Sequence, residues 1–268
     1  MNLFQETKYL ADIDYLLSTY IREYDISKAN INVFYKYGVI DKTQYEQYLR
    51  MTREARQISI GLMLRDRPEL NQVLKEGITE AKRMFFEANN IQEQDILSIK
   101  NDAIFIINKI PAHTKFGNIE FVMKNVYTSY YNLDGIELYY FFDIVTGQEK
   151  MDVKGIDDSK LMLHKNYFME FLAVCFNSAQ TYSIQDTIDI VTNFYIKYIG
   201  LELEPGYYRE FNAFSMYRLR IYSSNSLEAT ALEEIGEEQL QYIDIVWNLN
   251  LIRKLHQIYS GIYFSRMW

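Results

Sequence analysis

The feature that most constrains this chain is a change of hydrophobic pattern near residue 95. Before that point apolar residues recur mostly at helical spacing, whereas between 95 and 153 short β-branched and aromatic runs alternate with turn residues. Helical spacing returns from residue 159 onward. A block of strands between two blocks of helices is typical of an α+β fold, so we expect a small antiparallel sheet.

The individual elements follow from the same patterns. Strands are predicted over 95–108, 119–131, 136–142 and 150–153. Helices are predicted over 3–20, 41–66 and 68–90, and 22–39 is interpreted as a strand end followed by a short helix. The last strand suggests a domain boundary, which divides the chain into a first domain, 1–158, and a helical second domain, 159–268.

Composition excludes several classes of protein. The chain has 268 residues, a formal net charge of −8 and one cysteine, so an intrachain disulfide and a zinc site built from cysteines are both excluded. Cys175 lies in an apolar helical run, which favours a buried structural thiol. No apolar stretch reaches the ~20 residues that span a bilayer, so we expect a cytoplasmic protein without a membrane partner. The common glycine-rich phosphate loops are absent from the sequence.

Charge is unevenly distributed along the chain. Residues 28–83 carry eleven basic and seven acidic side chains, a net charge of +4, whereas residues 84–268 carry a net charge of −9. A basic segment within an acidic protein indicates an anion site, or else a solvated helix face.

Two aspartates stand out by their surroundings. Asp25 ends an apolar run that enters a helix, and Asp102 lies within the most apolar strand candidate. A carboxylate placed among apolar residues costs free energy unless it is paired, hydrogen-bonded or bound to a metal. Two carboxylates on neighbouring strands are the minimum scaffold for divalent-metal phosphoryl transfer. The alternative is that Asn101 and Asp102 form a hairpin turn.

Five segments then occur in a recognisable order. They are Asp25-Ile26-Ser27-Lys28-Ala29-Asn30, the helix REARQISIGLMLR, the helix-to-strand step from ITEAKRMFFEANN to ILSIKNDAIFI, Lys124-Asn125-Val126-Tyr127, and Lys154-Gly155. In type and order they resemble the palm and thumb of viral or phage family B DNA polymerases. The resemblance covers about residues 15–165, with 159–268 in the place of a thumb and helices of about 41–90 in the place of fingers.

The resemblance implies a function and a set of roles. It implies a DNA polymerase-like nucleotidyltransferase, acting alone or as one part of a split polymerase, that uses Mg²⁺ or Mn²⁺. Its partners would be primer–template DNA and a nucleoside triphosphate, with other polymerase subunits or host or phage proteins as further candidates. The implied residues are Asp25 and Asp102 for catalysis and metal binding, Arg53, Arg56 and Lys82 for the nucleotide, and Lys124, Tyr127 and Lys154 for nucleic acid.

Departures from the family pattern leave a second function open. Lys100 stands where the third motif has its first aspartate, and Asn30 stands where the family has the tyrosine that excludes ribose. The alternative is therefore a catalytically inactive, polymerase-derived interaction or accessory protein. Under that alternative Arg53 and Arg56 solvate a helix face, and Tyr127 is a half-buried aromatic of the sheet.

Overall fold

The structure is a computed structural model that describes residues 8–133, 135–143, 145–155, 171–176, 183–200, 202–203 and 253–261. The chain forms two compact units. The first contains residues 1–13 and 20–126, and the second contains residues 14–19 and 127–268.

The first unit combines strands with four helices in the described part of the chain. Its order is β1 (Lys8–Leu10), the end of β2 (Tyr15–Ile26), α1 (Ala29–Lys36), α2 (Lys42–Arg50), α3 (Arg53–Asp66), α4 (Leu70–Ala88), β3 (Ile96–Lys100), β4 (Ala103–Ile106), β5 (Lys115–Phe116) and the start of β6 (Ile119–Leu133). A short 3₁₀ turn, Glu93–Asp95, precedes β3. The strands are adjacent in the order β1-β3-β4-β2-β6, and β5 pairs with β6.

The hairpin between β3 and β4 corrects the position predicted for Asp102. Lys100 pairs with Ala103, so Asn101 and Asp102 form the two-residue turn, and Asn101 has a φ of 56°. Asparagine tolerates this left-handed conformation better than most residues. Asp102 therefore lies in the turn and not within a strand, which is the alternative that the sequence left open.

Two predicted helices are wrong. A helix is predicted over 3–20, but Lys8–Leu10 and Tyr15–Ile26 are strands, because β1 pairs with β3 and β2 pairs with β4. Residues 3–7 lie outside the described residues. The single helix expected over 41–66 is two helices, since Met51 is extended and the Thr52 side chain caps α3 by accepting the Ala55 amide at 3.2 Å. The predicted start at Asp41 is confirmed by a capping box with Gln44.

The core of the first unit lies between the strands and the helices. Aromatic and β-branched side chains from β2, β4, β6, α1 and α4 form it, among them Tyr24, Val33, Phe34, Phe85, Ile104 and Phe121. Phe85 stacks on Phe121 with ring centroids 4.2 Å apart, so α4 packs directly against the sheet. Because β6 is adjacent to β2 in the sheet, this packing also supports β2, the strand that carries Asp25.

The second unit pairs strands with described helical segments. Its strands are the start of β2, the end of β6, β7 (Ile136–Phe142) and β8 (Glu149–Lys154), in the order β2-β6-β7-β8. The described helical residues are 171–176, Ile184–Ile199 and 253–261. Their core includes Tyr131, whose hydroxyl lies 2.5 Å from the Tyr259 hydroxyl, and the buried Cys175, whose carbonyl accepts from Tyr259 at 3.1 Å.

The predicted fold class is confirmed, since the protein is α+β with an antiparallel sheet and several helices. The boundary expected near residue 158 falls in 156–170, outside the described residues. Of the predicted second domain, only 171–176, 183–200, 202–203 and 253–261 are described.

Candidate functional site

The structure brings Asp25 and Asp102 together. Asp25 is near the end of β2 and pairs with Ala103, the residue directly after Asp102. The turn that carries Asp102 therefore lies beside the end of β2, and the two carboxyl groups lie within hydrogen-bonding reach. Both residues belong to the first unit, so this arrangement depends only on packing within that unit.

The electrostatics of the pair are unfavourable for two charges. The pKa of Asp25 is raised to about 6, mainly by burial and in addition by the charge and hydrogen bond of Asp102. The Lys124 ammonium and the Ile26 backbone amide oppose this rise. The pair therefore stores electrostatic repulsion at neutral pH, which a bound cation would relieve.

One oxygen of the pair has no partner within the described residues. Asp25 Oδ1 is buried and accepts no hydrogen bond there. A buried acceptor without a donor is costly in a folded protein and calls for an explanation, such as an ion. Carboxylate oxygens are the ligands that Mg²⁺ and Mn²⁺ prefer, and Mg²⁺ is often held by only one or two carboxylates together with substrate phosphates and water. The residues present therefore fit such a cation.

The described residues offer few protein ligands for a cation at this site. Across the residues that the structure describes, no three His, Cys, Asp or Glu side chains gather to hold a metal ion. Two protein carboxylates leave most of the positions around Mg²⁺ for substrate and water, as in phosphoryl-transfer enzymes.

The backbone beyond Asp25 is held on both sides. The Ser27 amide donates to the Glu120 carbonyl on β6 at 2.8 Å, and the Ser27 carbonyl accepts from Asn32 Nδ2 at 2.5 Å. Lys28 then has a φ of 47°, a left-handed conformation that turns the chain into α1. This turn explains why β2 ends directly after the candidate site.

The three residues predicted to bind the nucleotide differ in exposure. Arg53 is exposed at the start of α3, and the half-buried Arg56 donates to the Met51 carbonyl at 3.5 Å. Lys82 is fully buried in α4. Their contact with a nucleotide stays a prediction, and the exposed Arg53 is better placed for it than the buried Lys82.

The three residues predicted to bind nucleic acid fall in different units. Lys124 is exposed on the part of β6 that belongs to the first unit. Tyr127 and Lys154 belong to the second unit, where Tyr127 is fully buried and its hydroxyl donates to Asp152. Tyr127 is therefore an aromatic of the sheet, as the alternative predicted, but it is fully buried and not half-buried; its contact with nucleic acid stays a prediction.

Sequence reasoning missed two features of the site. Lys124 was assigned to nucleic acid, but its charge also acts on Asp25. Glu23 lies two residues before Asp25 on the same strand, is buried, and accepts a hydrogen bond from Asn125. Alternate residues of a strand lie on the same face, so Glu23 and Asp25 share one face of β2. The sequence would predict this if residues 15–26 were recognised as a strand.

Comparison with known proteins gives a family. The family described as bacteriophage PBS1 gene 130 protein matches residues 1–260. The chain belongs to this phage family. No curated protein matches the sequence. The family description names no activity, so the chemistry of the site must be argued from its residues.

Among the described helices, none combines the length and the apolar character that crossing a bilayer requires.

The raised pKa of Asp25 predicts a pH dependence of stability. A carboxyl whose pKa is higher in the folded than in the unfolded state favours folding fully below its ordinary pKa of 3.8, and this contribution is lost as the pH rises through about 6. Because Asp25 is only half-buried, we expect a loss of about 1 kcal/mol after allowance for solvent screening. Urea unfolding in EDTA between pH 4 and 7.5 should show this decline in the wild type but not in Asp25→Asn. Parallel curves for the two proteins would contradict it.

Proposed function

We propose that this phage protein is a divergent, DNA polymerase-like nucleotidyltransferase whose Asp25 and Asp102 hold divalent cations. The observation that carries the proposal is the pair of carboxyl groups at the β2 end and the β3–β4 turn, with a buried Asp25 oxygen that accepts no hydrogen bond within the described residues. The arrangement of a strand end opposite a hairpin turn is consistent with the polymerase resemblance of the sequence. The family match supports a phage protein and leaves the activity as our proposal.

The proposed reaction transfers a nucleotidyl group from a nucleoside triphosphate to a primer end. The primer hydroxyl oxygen would bond to the α-phosphorus as the bond to the β-phosphate breaks, so that pyrophosphate leaves and the hydroxyl proton passes to solvent. The bound cations would neutralise phosphate charge and support in-line attack of the primer hydroxyl. The two carboxylates would set the position of those cations, and their mutual repulsion in the cation-free protein would favour binding. Arg53 on α3 would contact phosphate oxygens, since a guanidinium pairs with them in a bidentate manner.

Lys124 has a second role in this proposal. Its ammonium acts on Asp25 and is exposed on β6, so it partly compensates the carboxylate charge before a cation arrives. When substrate is present the same exposed ammonium would be free to contact a backbone phosphate, the role predicted from the sequence. The carboxylate charge would thus be partly compensated by Lys124 before a cation binds, and by the bound cations when substrate is present.

A primer-extension assay with the full chain tests the proposal. Template and primer, the four deoxynucleoside triphosphates and Mg²⁺ or Mn²⁺ should give extended primers, and EDTA should abolish them. A parallel series with ribonucleotides and RNA primers addresses substrate choice, because Asn30 stands at the sugar-selecting position. No incorporation with either metal and either nucleic acid would contradict catalysis. Retained DNA binding in that case would favour the inactive accessory protein.

A further inference from the structure

We propose that Asn32 and Tyr45 are positioning residues. They hold the end of β2, which carries Asp25, in a fixed position relative to helix α2. This inference rests on the proposed function, because it concerns the geometry of the same cation site. Neither residue contacts the carboxylates; both act through the backbone of Ser27.

Asn32 fixes the segment that follows Asp25. It is only 5% exposed, and its Nδ2 donates to the Ser27 carbonyl at 2.5 Å. The Ser27 amide is held at the same time by the Glu120 carbonyl at 2.8 Å. Both backbone groups of the residue two positions after Asp25 are therefore committed, which leaves Asp25 little freedom to shift along the strand.

Tyr45 fixes the orientation of the Asn32 amide. The Tyr45 hydroxyl donates to Asn32 Oδ1 at 2.7 Å, so the nitrogen must face the Ser27 carbonyl. The Tyr45 ring is itself held by stacking on Tyr35, with centroids 4.3 Å apart and an angle of 15°. Asn118 Nδ2 donates to the Asn32 carbonyl at 2.6 Å and ties the same point to the start of β6.

The connection is specific because α2 has few other anchors. No side chain of α2 is buried, although the helix is described in full. Tyr45 and Tyr48 are its partly buried aromatics that pack on the core of the first unit. The Tyr45–Asn32–Ser27 series is therefore the hydrogen-bonded route, among the contacts described, from α2 to the strand end that carries Asp25.

Removing one hydroxyl tests this route. In Tyr45→Phe the ring and its stacking remain, but Asn32 loses the donor that orients it. Outer partners of metal ligands commonly contribute 10- to 100-fold to metal affinity, so for this more distant contact we expect an affinity for Mn²⁺ about tenfold weaker. We also expect hydrogen exchange of the Ser27 amide to be about fivefold faster, because the Ser27 carbonyl is then held less firmly by Asn32. Tyr48→Phe, on the same helix, is the matched control.

Two measurements on the full chain test the inference. Electron paramagnetic resonance measures Mn²⁺ binding, and nuclear magnetic resonance measures hydrogen exchange of the Ser27 amide. Weaker Mn²⁺ binding and faster Ser27 exchange in Tyr45→Phe, with Tyr48→Phe like the wild type, support the inference. A wild type that binds Mn²⁺ and a Tyr45→Phe protein within twofold of it would overturn the positioning role alone. A wild type that binds no Mn²⁺ would overturn the proposed function together with it. Asn32→Leu gives a second variant of similar size, since it removes both hydrogen bonds of the amide without adding a charge; unchanged Mn²⁺ affinity there would also overturn the role.

Discussion

Asp25→Asn and Asp102→Asn are each expected to lower metal-dependent nucleotide incorporation about 10²- to 10³-fold, the usual cost of removing one preorganised electrostatic group from an active site. Each change removes one of the two carboxylates that the structure places side by side. In the proposed function the two carboxylates act as a unit on the same cations, so the double variant should lose little more than either single variant. Single-turnover extension rates in Mg²⁺ and in Mn²⁺ measure the effect.

Stability provides an internal control for this prediction. Removing one carboxylate relieves the repulsion that raises the pKa of Asp25, so both variants should be at least as stable as the wild type in EDTA at pH 7. Loss of activity could then not be attributed to unfolding. Asp66→Asn is the matched substitution, since Asp66 is exposed and pairs only with its neighbour Arg65 at 3.2 Å in the described structure. Wild-type rates in Asp25→Asn would exclude the proposed role of the pair.

The central strands were predictable because their signals are local. The β-branched run at 95–108 forms a hairpin, and the strand predicted at 136–142 is found as Ile136–Phe142. Residues 134–135 and 146–147 separate the strands, and Gly135 and Gly147 have φ of 91° and 68°. Turn chemistry and β-branched composition thus define these elements without reference to the rest of the chain.

The first strands were not predictable from local pattern. Apolar residues within 8–20 fit helical spacing, but Tyr15–Ile26 is a strand because it pairs with β4, about eighty residues later in the sequence. Pairs such as Tyr24 with Ile104 provide the stabilisation, and they exist only after the chain has folded. Tertiary pairing thus outweighs a local periodicity that is ambiguous.

The sequence indicates which two carboxylates to compare but not their electrostatics, and their role in a functional site stays a prediction. The sequence indicates Asp25 and Asp102 because charged residues interrupt apolar runs, and the structure brings the two together. The position of Asp102 in a turn, and the effect of Lys124 on Asp25, depend on which strands are neighbours. A sequence without the sheet order cannot provide that information.

Gly77→Ala is expected to destabilise the first unit by about 2 kcal/mol, against the usual gain of about 1 kcal/mol from alanine in a helix. A Cβ at Gly77 in α4 would overlap Val33 Cγ1 in α1 and lie 3.0 Å from Tyr37 Cε2. Val33 is fully buried, so it has no space into which to move. Glycine is therefore needed at this contact between α4 and α1, the helix that follows β2 in the chain.

Gly61 in α3 offers the opposite case within the same unit. A Cβ there would meet no atom within 4 Å, so Gly61→Ala should stabilise by about 0.5–1 kcal/mol through helix propensity alone. Urea unfolding followed by circular dichroism should therefore separate the two alanine variants by about 3 kcal/mol. The double variant Gly77→Ala/Val33→Ala should recover part of the loss, because the shorter side chain removes the overlap. Equal stabilities for Gly77→Ala and Gly61→Ala would mean that α1 and α4 do not pack as closely as described.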